Sequence, residues 1–252
     1  MSTMSRDNGY HGSLNIICDF DGTIAEADTT DLILSRLALP QWEEIERQWL
    51  DGLISSRECM YQQVGLLRAD KESLDGLIDE IQLTPGFVEF AAYADEHMAR
   101  PRIVSDGLDY VIERVLATHG IQGLEVAANH LLFTSRGFEL EFPYSRTDCG
   151  SGVCKCAAAE GAGGNTILIG DGRSDLCLAG RADLVLARRG RALERYCLEY
   201  GRPYAVYDDF YDLISFFEMN LNQPPLAGWR GSLSQFRNPV EAQTPGGRWF
   251  GD

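Results

Sequence analysis

Short apolar runs separated by turn residues dominate the hydrophobic pattern of this chain and predict buried strands. Two runs are clear, at residues 14–20 and 166–169, because each is rich in leucine and β-branched residues. Residues 124–142 predict two further strands joined by a turn at 135–137. The other candidate strands lie at residues 102–105, 183–187 and 204–207.

A helical period replaces this pattern between residues 29 and 80. Four large apolar side chains recur there at spacings of three and four residues, on one face of a helix: Trp42, Ile45, Trp49 and Leu53. Segments 56–68 and 71–81 continue in the same style, without a convincing strand. We therefore predict a small helical insert after the first strand.

Helices are also predicted between the later strands. One follows the turn at 84–86, one covers 108–118 and ends at Gly120, and one lies near 154–160. Strand–helix alternation on both sides of the insert predicts an α/β fold with a doubly wound parallel sheet. The expected division is a discontinuous core of residues 1–25 and 100–221, a helical insert of residues 26–99, and an irregular tail of residues 222–252.

The charge balance limits the partners. The chain has 252 residues, with 22 Lys and Arg against 38 Asp and Glu, which gives a formal net charge of −16. Nucleic acids and anionic membranes both need a basic surface, so neither is an expected partner. Only Lys71 and Lys155 are lysines. Lys71 lies at a polar helix start and is expected to be solvated.

The apolar segments and the cysteines predict a cytoplasmic protein. No segment reaches the ~18 consecutive apolar residues that a membrane span needs. The first apolar run is too short for a signal peptide and contains Asp19. Seven cysteines without a secretion signal favour free thiols in a reducing compartment.

Polar side chains follow the predicted strands at the places where open α/β sheets bind ligands. The first strand leads into Asp-Phe-Asp-Gly-Thr at 19–23, and the strand at 166–169 leads into Gly-Asp-Gly-Arg-Ser-Asp at 170–175. Val-Ser-Asp-Gly at 104–107 and Lys155 lie between them. Carboxylates, one ammonium and one hydroxyl at adjacent strand ends suit Mg²⁺ and a phosphoryl group. A carboxylate can also serve as the nucleophile.

Each of these signals has an ordinary alternative when it stands alone. An Asp-x-Asp pair is common in turns, Ser105 suits a helix N-cap, and Gly-Asp-Gly at 170–172 suits a turn. Lys155 alone would be a solvated surface lysine. With only two lysines in the chain, however, one in the interval before Gly-Asp-Gly is unlikely to lie there by chance.

Together and in this order, the four motifs resemble those of the haloacid dehalogenase (HAD) phosphatases. The insert resembles the C1 cap of their phosphoserine-phosphatase-like branch. The resemblance implies a Rossmannoid core with a helical C1 cap after the first strand. It covers about residues 14–215 and is strongest to the branch that acts on an enol/keto phosphate of methionine salvage. Further segments carry that likeness: 40–42, 51–52, 64–67, 129–130, 149–156, 203–204 and 209–211.

The resemblance implies a catalytic or metal-binding role for four aspartates. Asp19 would be the nucleophile. Asp21 would act as general acid and then as general base, with its backbone carbonyl on Mg²⁺. Asp171 would bind the same ion together with Asp19. Asp175 would hold a metal-bound water or orient Lys155.

The resemblance also implies a phosphoryl cradle. Ser105 and Lys155 would contact the phosphoryl oxygens. Backbone N–H groups after Asp19 and Ser105 would complete the cradle. The substrate-binding set therefore includes Gly22, Asp106 and Gly107.

Two insert positions depart from the phosphoserine phosphatases. The glutamate that pairs with the substrate amine there corresponds to Asp28 here, and the arginine that holds the carboxylate corresponds to Gln63. Without that arginine the bidentate carboxylate clamp is lost, which argues against phosphoserine as the substrate. Arg57 could substitute, but the prediction favours a solvated helix arginine.

The cysteines at 149, 154 and 156 flank the predicted site. Their spacing is not that of a structural zinc site, so packed free thiols are favoured over a metal site or a redox pair. His130 is expected to be structural, with a place in the substrate pocket as the alternative.

The sequence thus predicts a Mg²⁺-dependent phosphoric monoester hydrolase that acts through an aspartyl-phosphate on a small phosphorylated metabolite. A methionine-salvage enol/keto phosphate is the favoured substrate. The alternatives are another small phosphomonoester and, less favoured, a phosphotransferase. The expected state is a monomer or a homodimer.

Overall fold

The computed structural model describes residues 14–221 apart from Arg136 and Ala162. The segments 1–13 and 222–252 therefore lie outside the described residues, as does part of the turn expected at 135–137. Within the described part of the chain, no helix is long and apolar enough to cross a membrane.

Within residues 14–221, seven strands form one sheet at the centre of the molecule. In chain order they are β1 (Leu14–Cys18), β2 (Arg102–Leu108), β3 (Val126–Thr134), β4 (Gly137–Glu141), β5 (Asn165–Gly170), β6 (Leu184–Arg188) and β7 (Tyr204–Tyr207). Their spatial order is β4-β3-β2-β1-β5-β6-β7. All neighbouring pairs are parallel except β3 and β4. This is the doubly wound α/β sheet that the hydrophobic pattern predicted.

Ten helices surround this sheet in the described part of the chain. They are α1 (Thr29–Leu37), α2 (Trp42–Leu50), α3 (Ser56–Val64), α4 (Lys71–Ile78), α5 (Phe87–His97), α6 (Asp109–Thr118), α7 (Lys155–Ala159), α8 (Leu176–Ala179), α9 (Ala192–Glu199) and α10 (Phe210–Leu221). The helices α1 to α4 follow β1, where the sequence predicted a helical insert.

The central position of β1 explains why its sequence is apolar apart from Asn15. Ile16 and Cys18 pack into one hydrophobic cluster, while Ile17 packs into a second cluster. Successive side chains of a strand point to opposite faces, so both faces of β1 are covered. The end of β1 is therefore held rigidly, which is a requirement for a precise site.

Strand β2 runs further than the sequence predicted. The predicted strand ended at Ser105, yet β2 continues to Leu108. Its register explains the difference, because Val104 pairs with Ala127 and Leu108 pairs with Asn129. Two extra residues on β2 therefore bulge out of the ladder between these pairs. The bulge presents Ser105 and its neighbours at the edge of the sheet.

Helix α5 packs on the core layer, although the expected division places it in the insert. The rings of Phe87 and Phe90 lie 4.9 and 5.2 Å from the ring of Phe210 in α10. By contrast α4 contacts α6 through polar side chains, with Arg114 donating to Asp79 at 2.7 and 2.8 Å. The division at residue 99 stays a prediction, and the contact of α5 with α10 favours an earlier boundary.

Candidate active site

The end of β1 positions the first carboxylate. Asp19 is only 4% exposed, and its backbone N–H donates to Ile169 at 2.9 Å. Its Oδ1 accepts from the N–H of Phe20 at 2.8 Å. The chain then turns through Gly22 at φ +66°, where a Cβ would lie 2.5 Å from Asp171 Oδ2. A glycine is therefore required at position 22 by both the backbone and the space.

Asp21 is fixed in the turn that follows. Its Oδ1 accepts from the N–H and the hydroxyl of Thr29 at 2.8 and 2.6 Å. A Cβ at position 107 would lie 2.6 Å from its Oδ2, so Gly107 makes room for this carboxylate. Burial and the charge of Asp28 raise the pKa of Asp21 well above its usual value, although Thr29 opposes the shift.

The bulge of β2 brings the hydroxyl of Ser105 to the same edge. Ser105 is 1% exposed, and its Oγ accepts from the N–H of Gly107 at 3.0 Å. Asp106 also reaches the cavity, but its carboxylate is occupied by protein donors. Val153 N–H donates to it at 2.9 Å, and the hydroxyl of Ser56 in α3 donates to its other oxygen. Asp106 thereby ties the insert to the core.

Lys155 lies beneath these groups and is wholly buried. Its Nζ is 2.8 Å from Asp19 Oδ2 and 2.5 Å from Asp175 Oδ1, and it donates to the hydroxyl of Ser174 at 3.0 Å. Burial lowers the pKa of Lys155, but the charges of Asp175 and Asp19 outweigh it, so the pKa lies above its usual value. The ammonium is therefore charged and sits next to Asp19.

The loop after β5 supplies the remaining carboxylates. Asp175 Oδ2 accepts from the N–H groups of Asp171 and Gly172 at 3.1 and 3.0 Å. Gly170 gives it space, because a Cβ there would lie 2.3 Å from the same oxygen. Burial and the charge of Asp19 raise the pKa of Asp171 to about 7 and that of Asp175 to about 6.

These carboxylates form a set that fits a divalent cation. Asp19, Asp171 and Asp175 each offer an oxygen within 4.8 Å of the others. The raised pKa of Asp171 indicates an excess of negative charge that a bound cation would offset. Oxygen ligands of this kind suit Mg²⁺. The side chain of Asp21 does not belong to this set. The metal-binding role predicted for Asp21 concerns its backbone carbonyl and not its side chain.

A cavity of about 360 Å³ adjoins the carboxylates and is lined by residues of both the core and the helical insert. Among the predicted site residues, Lys155 and Asp175 lie buried behind its wall. The others all line it: Asp19, Asp21, Gly22, Asp28, Gln63, Ser105, Asp106, Gly107 and Asp171. The structure thus brings together residues that are up to about 150 positions apart in the chain.

Sequence reasoning missed several members of this cavity. Ser174 donates to Asp19 Oδ2 at 3.1 Å and accepts from Lys155. Its place inside the Gly-Asp-Gly-Arg-Ser-Asp motif was a usable signal. Arg173 shares this motif and this signal. The other missed members carry no such signal, because only the fold brings them to the cavity: Asp31, Glu46, Trp49, Met60 and Arg191.

Two other candidates, His130 and Arg57, lie away from the reacting groups. His130 pairs with Asp109 at 2.5 Å and is half-exposed, and Asp109 raises its pKa. Arg57 donates to the carbonyl of Arg146. Neither His130 nor Arg57 lines the cavity.

The cysteines of the 149–156 loop are free. Cys154 and Cys156 are buried, and burial raises the pKa of both thiols, to about 12 for Cys156. Among the described residues, the group that could hold a metal is the aspartate set and includes no cysteine. This arrangement agrees with the prediction of packed free thiols.

Comparison with known proteins identifies relatives of the whole described region. The family model for haloacid dehalogenase-like hydrolases matches residues 16–180. A 2-hydroxy-3-keto-5-methylthiopentenyl-1-phosphate phosphatase from an Exiguobacterium species is 32% identical over 216 residues, which cover 82% of this chain and 98% of that protein. The protein of the same name from Brevibacillus brevis is 31% identical and covers 80% and 93%.

Solved structures share the fold. A phosphoserine phosphohydrolase-like protein from Francisella tularensis superposes with a TM-score of 0.62 at 26% identity, covering 80% of this chain and 98% of that one. A phospho-aspartyl intermediate analogue of a phosphoserine phosphatase gives a TM-score of 0.58 at 21% identity, over 82% and 98% of the two chains.

Proposed function

We propose a mechanism for this chain, which belongs to the haloacid dehalogenase-like hydrolase family and is a phosphatase related to those of methionine salvage. In this mechanism the protein hydrolyses its substrate through an aspartyl-phosphate, with the help of Mg²⁺. One observation carries the proposal. A buried ammonium, that of Lys155, lies 2.8 Å from Asp19, which stands at the end of the central strand and lines the cavity. A carboxylate in this position is held ready to attack.

The first step forms a bond between an Asp19 oxygen and phosphorus, while the bond from phosphorus to the leaving oxygen breaks. Asp21 gives its proton to that leaving oxygen. Its raised pKa supports this role, because a general acid must hold a proton near neutral pH. In the second step Asp21 takes a proton from water as the water attacks phosphorus, which releases phosphate and restores Asp19.

The remaining core groups stabilise the transferring phosphoryl group. Lys155 supplies positive charge next to Asp19, and Asp175 holds that ammonium in place. The hydroxyl of Ser105 and the N–H groups that follow Asp19 and Ser105 donate to phosphoryl oxygens. Mg²⁺, held by Asp19, Asp171 and the backbone carbonyl of Asp21, would neutralise phosphate charge and orient the phosphoryl group.

The favoured substrate is an enol/keto phosphate of the methionine-salvage type. Relatives of that name, alike over nearly their whole length, support it. The absence of a cation at Gln63 also supports a substrate without a carboxylate. Another small phosphomonoester is the second candidate. A cytoplasmic location and a monomeric or homodimeric state stay predictions.

Phosphate release from a panel of phosphomonoesters, with and without Mg²⁺, tests the proposal. We expect Asp19→Asn to lower the rate by on the order of 10³-fold or more, because the nucleophile is lost. Glu43→Gln, on an exposed face of α2, is the matched control and should keep full activity. Equal rates for wild type and Asp19→Asn would refute the proposed mechanism. Activity that survives chelation without loss would refute the role of Mg²⁺.

A further inference from the structure

The wall of the cavity that faces the reacting aspartates comes from the insert helices. Asp31 lies in the first turn of α1, Glu46 in α2 and Gln63 in α3, and all three line the cavity. Trp49 and Met60 supply apolar surface beside them. None of the insert residues described as lining this cavity is a lysine or an arginine. The cations that line the cavity are Arg173 and Arg191, which come from the core.

Gln63 is held in one orientation. It is only 2% exposed, and its Nε2 donates to Glu46 Oε2 at 2.9 Å and points to the carbonyl of Trp42 at 3.5 Å. Turning the amide over would bring its oxygen against these two acceptors, so the assignment follows from the partners. Its Oε1 is left without a donor among the described residues. A buried side chain thus offers an unpaired acceptor to the cavity.

The neighbouring carboxylates of Asp31 and Glu46 also have no cationic partner within the part of the chain that the structure describes. Glu46 is approached by the amide of Gln63 and by the thiol of Cys59, which are both neutral donors. Burial and the charge of Glu46 raise the pKa of Asp31, and burial together with Asp31 raises that of Asp28 to about 6. The carboxylates of Asp31 and Glu46 and the Oε1 of Gln63 therefore present acceptors to the cavity, and the net charge of these three side chains is negative.

We infer that this acceptor wall, Asp31, Glu46 and Gln63, selects leaving groups that carry hydrogen-bond donors, hydroxyl or ammonium, and rejects leaving groups that carry a carboxylate or a second phosphate. The inference rests on the proposed phosphatase reaction and deepens it. Phosphoryl charge is met by Lys155 and the cation site on the core side, whereas a second anion placed against the insert helices would face Asp31 and Glu46, since both arginines that line the cavity come from the core. Juxtaposed like charges in a confined site are strongly unfavourable.

Two matched pairs of esters test the charge rule. Ethanolamine phosphate and phosphoserine differ by one carboxylate, and glycerol 3-phosphate and 3-phosphoglycerate differ by a carboxylate in place of a hydroxymethyl group. We expect kcat/KM for the carboxylate-free member to be higher by about tenfold or more in both pairs. Equal values within both pairs would overturn the inference. A higher value for either carboxylate would do so as well.

The variant Glu46→Gln should weaken this discrimination because it removes one charge without changing shape. Glu44→Gln is the matched control, since Glu44 lies on the same helix, is exposed and pairs with Arg47 outside the cavity. We expect the preference to fall several-fold in Glu46→Gln and to be unchanged in Glu44→Gln. If the preference were unchanged in both variants, the acceptor wall would not determine the specificity for carboxylate-free esters.

A third comparison tests the effect of hydrogen-bond donors on the leaving group separately from the effect of its charge. Glycerol 3-phosphate should be preferred to n-propyl phosphate, which has no hydroxyl, and Gln63→Leu should reduce that preference. Comparing ethanolamine phosphate with glycerol 3-phosphate then shows whether ammonium or hydroxyl is the better donor. No preference over n-propyl phosphate in the wild-type protein would refute the donor requirement.

Affinity distinguishes failure of this inference from failure of the proposed mechanism. The dissociation constants of the same esters are measured on Asp19→Asn in the presence of Mg²⁺. If wild type shows no phosphatase activity but these affinities follow the charge rule, the mechanism fails and the inference stands. If activity is present but the affinities ignore the carboxylate, the inference fails and the mechanism stands.

Discussion

The core wall and the insert wall of the cavity differ in how their polar side chains are buried and paired. On the core wall, Lys155 and Asp175 are wholly buried and paired, and Asp19 is 4% exposed with a partner on each oxygen. On the insert wall, Asp31 is exposed and Glu46 is partly buried, and neither carboxylate forms an ion pair with a described residue. The core wall is thus a closed network, whereas the insert wall leaves acceptors open to a ligand.

This difference matches two separate tasks. Groups that stabilise a developing charge must be fixed before the reaction, and paired burial at strand ends fixes them. Groups that recognise a leaving group must keep unused hydrogen-bonding capacity until the substrate arrives. A network without open acceptors could not discriminate among leaving groups, and an open network could not hold a nucleophile in place.

The largest effect is expected when the ammonium of Lys155 is removed from the core wall. Lys155→Met leaves Asp19 and Asp175 side by side without their cation, and breaking a buried pair costs about 3 to 5 kcal/mol of unfolding free energy. Phosphatase activity should be lost as well. Chemical denaturation with phosphate-release assays measures both effects.

Lys71→Met is the control at the other lysine. Lys71 is half-exposed and lies 2.8 Å from Asp75, and it also bonds the hydroxyl of Tyr110 in α6, so it is less freely solvated than its sequence context suggested. Because water screens this pair, its loss should change stability far less. Similar losses in both variants would contradict the contrast between a buried and a screened ammonium.

A smaller effect is expected from adding one methyl group near Asp21. In Gly107→Ala the new Cβ would lie 2.6 Å from Asp21 Oδ2 and 3.2 Å from Ser105 Oγ, so the general acid must shift. Misplacing a catalytic group by such an amount lowers kcat by about 10²-fold. Steady-state kinetics together with a melting curve separates this effect from unfolding.

Gly76→Ala in α4 is the matched control for this prediction, because Gly76 does not line the cavity. A Cβ at position 76 meets no atom within 4 Å, and neither glycine has a positive φ. We expect near wild-type kcat there. If both alanines were equally active, Asp21 would not need its present position.

The smallest effect concerns two aspartates that cap insert helices. Asp28 caps α1 by accepting from Asp31 N–H at 2.9 Å, and Asp70 caps α4 by accepting from Ser73 N–H at 2.8 Å. Asparagine is an equally good N-cap, so Asp→Asn changes charge while the cap is kept. The two variants should shift the melting temperature in opposite directions at neutral pH.

The signs follow from the two pKa shifts. The pKa of Asp28 is raised from 3.8 to about 6, so the wild-type protein loses stability as pH rises through this range, and Asp28→Asn should gain about 1 kcal/mol or less above it. Hydrogen bonds from Ser73 lower the pKa of Asp70, so its stabilisation is present above 3.8 and is lost as pH falls. Asp70→Asn should therefore be less stable at neutral pH. Equal shifts at all pH values would contradict the uncompensated charge of the insert wall.

Much of the core wall was predictable from sequence. The apolar run at 14–20 and the motif at 170–175 each place carboxylates directly after a buried strand, and parallel strands bring such ends together. The bulge in β2 was not predictable, because it depends on how β2 pairs with β3. The place of α5 also depended on tertiary contact, since its apolar face would pack equally well on an insert helix or on α10.

The sequence by itself determined the sheet, the order of its chemical groups and the presence of one lysine in the required interval, because local periodicity and strand-end placement act over short stretches of chain. Only the tertiary structure decided which insert residues face Asp19. Asp31, Glu46 and Gln63 lie on three different helices, and no local pattern relates them. Their shared wall exists because the packing of these helices on the core turns one side of each toward the same cavity.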